Sequence, residues 1–152
     1  MADESKWRWE FRDFESFEEG RPVLEWFSAL PDEAQDEICD LLGYLRVRTN
    51  SRWQRPSFDP LDGEGGISEL RFDDVRYEQN GEIKQITCRI YGFFGPQNHK
   101  HSYTFLHGTN KKVRNDKNGK QIARERLRQL ERNEATVHRF DQCPSSKVGE
   151  KS

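Results

Sequence analysis

The dipeptide Asn80-Gly81 constrains this chain more than any other short feature. Asn-Gly between two strand-like runs is the strongest local hairpin signal, because both residues accept the positive φ that a two-residue turn needs. Before it lies ISELRF, which opens at Ile67 behind a glycine-rich turn. After it lies EIKQITCRIYGFF, the longest strand pattern in the chain. Period two puts Ile86, Cys88 and Ile90 on one face, and Thr87, Arg89 and Tyr91 on the other. GPQNHKH turns the chain again, and SYTFLH, residues 102–107, makes a further strand. Three consecutive strands joined by short turns are expected to pair as an antiparallel meander.

Other elements frame this meander. Trp7, Trp9 and Phe11 alternate with charged residues, which predicts a strand over 7–12. An acidic connection, DFESFEEG, follows. Pro22 opens a short helix where its missing N–H costs nothing, and Pro31 opens a longer one. In the longer helix Ala34, Ile38, Leu41, Leu42 and Leu45 form one apolar stripe. KQIARERLRQLER reads as a closing helix with Ile122, Ala123, Leu127 and Leu130 apolar. The order β-α-α-β-β-β-α predicts an α+β fold: a small antiparallel sheet covered on its Ile86 face by the helical hairpin, with the other face open. Residues 1–133 are expected to form one domain. From residue 134 the chain is polar and aperiodic and is expected to be a flexible tail.

Composition narrows the class. Of the 152 residues, 32% are apolar and 34% charged, and no apolar run approaches membrane-spanning length. The charged N-terminus, MADESKWRWEF, lacks the apolar core of a secretory signal. Cys39, Cys88 and Cys143 are odd in number and form no CxxC pair, so reduced thiols in a cytoplasmic protein are expected. The net charge of -2 hides an asymmetry. Residues 1–40 hold 4 Lys and Arg against 13 Asp and Glu, whereas residues 81–132 hold 12 against 4. The basic back of the molecule suits a polyanion, although the overall balance is not that of a typical nucleic-acid binder.

The basic residues concentrate near the meander's open face. Arg89 and Tyr91 point there, and Arg71 joins them from the neighbouring strand. His107 ends the last strand, and FLHGTNKKVRN then brings Lys111, Lys112 and Arg114. Arginine grips phosphate oxygens through paired hydrogen bonds, and fixed positive charge stabilises a transition state that gains negative charge. Each residue also has a plainer reading. Arg89 could pair with a carboxylate such as Glu69, Tyr91 could support the sheet, His107 could cap a strand end, and the lysines could be solvated loop charges. His99 and His101 resemble a metal pair, but no further ligands lie near them in sequence, so no metal or cofactor is expected.

In order along the chain come WRWEF, RPVLEWFSALP, the long helix, PLDGEGGISELRF, CRIYGFF, FLHGTNKK and QIARERL. This succession resembles the RelE superfamily of toxin–antitoxin toxins, and within it the phage-derived HigB-like branch, over residues 7–132. The resemblance implies a ribosome-dependent mRNA endoribonuclease. In it the 2′-hydroxyl attacks the adjacent phosphate without metal, leaving a 2′,3′-cyclic phosphate and a 5′-hydroxyl. It implies catalytic roles for Arg71, Arg89, Tyr91 and Lys112, and RNA binding by Lys111 and Lys112; to these the residues themselves add His107 as a catalytic candidate and Arg114 as an RNA-binding one. Arg71 and Arg89 are expected to stabilise charge, Tyr91 to stack or orient, and His107 to transfer a proton. The partners implied are the ribosome, mRNA and a cognate helix-turn-helix antitoxin. Two alternatives share the fold: a ParE-like binder of DNA gyrase, and an inactive interaction protein.

Overall fold

The computed structural model describes residues 7–110 and 115–143 of the chain. The protein is α+β, with a six-stranded sheet and three α-helices among those residues. The strands are β1 (Glu10–Glu15), β2 (Phe58–Pro60), β3 (Ser68–Gln79), β4 (Glu82–Phe94), β5 (Ser102–Thr109) and β6 (Thr136–Arg139). The helices are α1 (Pro22–Ser28), α2 (Asp32–Leu45) and α3 (Lys117–Glu131). Strand order across the sheet is β2-β3-β4-β5-β1-β6.

The meander forms around the expected turn. Asn80 and Gly81 have φ of 53° and 79°, the left-handed pair that a tight hairpin requires. From there β3 and β4 run antiparallel, with Arg71 opposite Arg89 and Glu69 opposite Tyr91. Strand β5 continues the pairing, with His107 opposite Tyr91 and Thr109 opposite Arg89. Beyond that row the β4–β5 register shifts by one residue. The extra residue is Leu106, and both it and His107 contact groups of α3's layer.

The sheet is mixed rather than purely antiparallel. β1 occupies 10–15, not 7–12, and pairs with β5 in parallel, Phe11 beside Tyr103. A parallel neighbour requires a crossover, and α1, α2 and the meander together supply it. The main core lies on the α1–α2 side. There Val23 and Phe27 of α1 and Ala34, Ile38 and Leu42 of α2 bury against Leu70, Phe72, Cys88 and Ile90. Phe11, Trp53, Phe94, Tyr103 and Phe105 join them in a continuous set of ring contacts. Gly108 is needed on this face: a Cβ there would meet the Trp26 ring at 2.2 Å.

Three expectations are corrected here. First, the second sheet face is not open. Ala123 and Leu127 of α3 bury against Ile67, Tyr91 and Leu106. The apolar stripe of α3 needs a surface, and the α1–α2 side is already filled. Second, residues 134–143 are not a flexible tail; residues 144–152 lie outside the described residues. β6 pairs antiparallel with β1, and Phe140 packs edge-on against Phe27 and Phe105 at 5.2 and 5.1 Å. Third, the cysteines are not all thiols. Cys39 of α2 and Cys143 are joined in a disulfide, their Cα atoms 5.3 Å apart. Only Cys88 is free, buried in the core, and burial pushes its thiol up to about 11. Among the described residues, no helix is long and apolar enough to cross a membrane.

Candidate functional site on the β3–β5 face

Cross-strand pairing builds the site in two rows, since directly opposed residues point to the same face. One row is Glu69, Tyr91 and His107. The next is Arg71, Arg89 and Thr109. Four of the expected residues, Arg71, Arg89, Tyr91 and His107, are therefore neighbours. Lys111, Lys112 and Arg114 lie outside the described residues.

The two arginines are placed differently. Arg71 is partly exposed and held by two carboxylates: its Nε bonds Glu69, and its Nη2 lies 3.6 Å from Asp59 on β2. Desolvation opposes the Arg71 charge, but those carboxylates outweigh it and raise its pKa. Glu69 thus pairs with Arg71 rather than with Arg89, for which the residue pattern offers it as one possible carboxylate partner. The reason is local: Glu69 and Arg71 are two apart on one strand and share a face. Arg89 is half-buried, and its Nε is fully covered with no hydrogen-bond partner among the described residues. Two like charges directly opposed across a ladder are destabilising unless an anion or carboxylate lies between them.

Tyr91 cannot stack on a base. It is completely buried beneath α3, and its hydroxyl donates to Asp116 Oδ2 at 3.1 Å. Burial first, and then the Asp116 charge, push its hydroxyl far above the ordinary value, with a hydrogen bond from Arg89 acting the other way. It therefore remains a proton donor that orients its neighbours. His107 lies beside it with the rings 1° from parallel and 6.2 Å apart. His107 Nδ1 is 3.3 Å from Arg126 Nη1 of α3.

Asp116, Arg126 and Glu19 also belong to this site, although residue pattern alone does not bring them to it. Asp116 caps α3, accepting from the Gly119 N–H at 3.0 Å. A signal for it is present in NDKNG, where an aspartate precedes a helical pattern. Arg126 has no comparable signal, because an arginine inside a basic helix reads as solvated. Among the described residues, no group of three or more His, Cys, Asp or Glu could hold a metal ion. The arrangement offers fixed cations, a neutral phenol and an imidazole on one partly covered face. Such a set can bind an anionic oxygen and stabilise charge that develops there. No protein-family model, curated protein or solved structure matches this chain.

Proposed function

We propose that the chain is the toxin of a toxin–antitoxin pair, a metal-independent endoribonuclease that cuts mRNA on the ribosome in the cytoplasm. The sheet-on-hairpin arrangement is read as RelE-like, and a helix-turn-helix antitoxin holds the chain inactive. The reading is supported above all by the Arg71–Arg89 pair, with the Arg89 Nε covered and lacking a partner among the described residues. A scissile phosphate between the two guanidiniums would relieve their repulsion. In the reaction the 2′-oxygen–phosphorus bond forms as the phosphorus–5′-oxygen bond breaks. The proton lost by the 2′-hydroxyl ends on the 5′-oxygen. Arg89 and Arg71 stabilise the extra negative charge on phosphorus.

One observation favours a contact-only protein, of the gyrase-binding or inactive kind: Glu69 and Asp59 already compensate Arg71. Expression in cells without antitoxin decides between them. Under the nuclease reading, new 5′-hydroxyl ends arise within translated codons and vanish with Arg89→Ala. Growth arrest unaltered by a triple Arg71, Arg89 and Lys112 alanine variant would refute it.

A further inference from the structure

Arg126 is the buried cation whose position the proposed chemistry leaves unexplained. It sits 8% exposed on the sheet side of α3. Its Nη1 donates to the Leu106 carbonyl at 2.8 Å. Its Nε and Nη2 each donate to the Glu19 carboxylate at 3.3 Å. Its guanidinium also lies 5.5 Å over the Phe14 ring. Glu19 is itself held. The loop from Ser16 to Gly20 is closed by reciprocal backbone bonds of 2.9 and 2.8 Å. Arg21 then fixes the loop's far end through two bonds to buried Asp13, at 3.0 and 2.7 Å. Arg126 is thus fixed in place before it reaches His107.

At the 3.3 Å contact between Arg126 Nη1 and His107 Nδ1, the roles are settled by chemistry. A guanidinium has only donors and stays charged throughout the physiological range. The ring nitrogen must therefore supply a lone pair. A protonated ring would set N–H against N–H and cation against cation. The hydrogen-bonded nitrogen of a histidine fixes which nitrogen keeps the proton. Tyr91 supports the same geometry from β4, its ring parallel to that of His107 and its hydroxyl tied to Asp116.

We infer that Arg126 is a positioning residue that holds His107 as the neutral tautomer protonated at Nε2, so that His107 serves as a hydrogen-bond donor to a phosphoryl oxygen. This rests on the proposed phosphodiester site for the donor role, but not for the tautomer. It also revises the role expected of His107, from proton carrier to neutral donor. A neutral donor stabilises the oxygen as it gains charge without exchanging a proton with it.

The test reads the tautomer and the reaction separately. Full-length protein with isotope-labelled histidine is examined by long-range proton–nitrogen correlation near neutral pH, with His107→Gln assigning the signal. The expected spectrum shows a bare Nδ1 and a protonated Nε2. Arg126→Met should give mixed tautomers and slow RNA cleavage by about 10- to 100-fold, the usual effect of losing a group that orients a reactive one. Arg126→Lys should retain the wild-type tautomer and part of the rate. A proton on Nδ1 in the wild-type spectrum overturns the inference, as does an unchanged tautomer in Arg126→Met. If Arg126→Met does not fold, the wild-type and Arg126→Lys spectra decide. Absence of mRNA cleavage by the wild-type chain on translating ribosomes overturns the site reading and the donor role with it, whatever the tautomer.

Discussion

Replacing Cys143 with serine should lower stability substantially while leaving the fold intact. The disulfide joins residues 104 apart in sequence. Closing a loop of about 100 residues removes entropy from the unfolded chain worth about 4.7 kcal/mol, though measured native bridges give about 2–5 kcal/mol. The folded state should change little, because other contacts hold the same segment. The Phe140 N–H donates to the Phe11 carbonyl at 2.8 Å, and the Phe140 ring stays wedged against Phe27 and Phe105. The effect therefore falls on the unfolded chain. With a urea m-value of about 2 kcal/mol/M, the midpoint should drop by about 1–2.5 M. Urea titrations of wild type and Cys143→Ser, each with and without reductant, measure this. Reductant should shift the wild type to the midpoint of the variant and leave the variant unmoved. A shift below about 0.3 M, or alkylation of Cys39 and Cys143 in unreduced, unfolded protein, would overturn this account. A bridge of this kind persists in oxidising surroundings, so the same titration shows how the protein behaves in a reducing cytoplasm.

Further outcomes follow from the two faces of the sheet. Gly108→Ala drives a methyl group into the Trp26 ring and should cost about 1–3 kcal/mol, read as a lowered urea midpoint. Tyr91→Phe leaves the buried Asp116 without its phenolic donor and should cost about 1–3 kcal/mol; an unchanged midpoint would mean that α3 is not held there. Cys88, pushed up to about 11 by burial, should resist alkylation in the folded protein at neutral pH and react once it unfolds. Because its folded pKa is raised, the stability it contributes is present below the ordinary thiol range and is lost as pH rises through about 11.

Part of the site is legible in the residue pattern. Once Asn80-Gly81 joins β3 to β4, alternation alone puts Arg71, Arg89 and Tyr91 on one face, and His107 follows from the next strand. What alternation does not supply is the layer above them. Whether a sheet residue is exposed depends on what packs over it, so Tyr91 reads as a surface ring although it lies beneath α3. The choice of Arg71 rather than Arg89 as partner for Glu69 turns on side-chain reach within one strand, which a residue pattern does not encode.

Elements whose information is local are written in the residues themselves. Period two marks β4 and β5, the Asn80-Gly81 turn marks the hairpin, and the apolar stripe of Ala34, Ile38 and Leu42 marks α2. The remaining features depend on tertiary contacts. β6 has four residues and no apolar alternation, and it exists because β1 offers it an edge and Phe140 anchors the chain beyond it. The parallel pairing of β1 with β5, the packing of α3 on the second face and the Cys39–Cys143 bridge each join segments distant in sequence. Such contacts form only after the chain has collapsed and lost the entropy of its long open loops, so no short window of residues carries their signal.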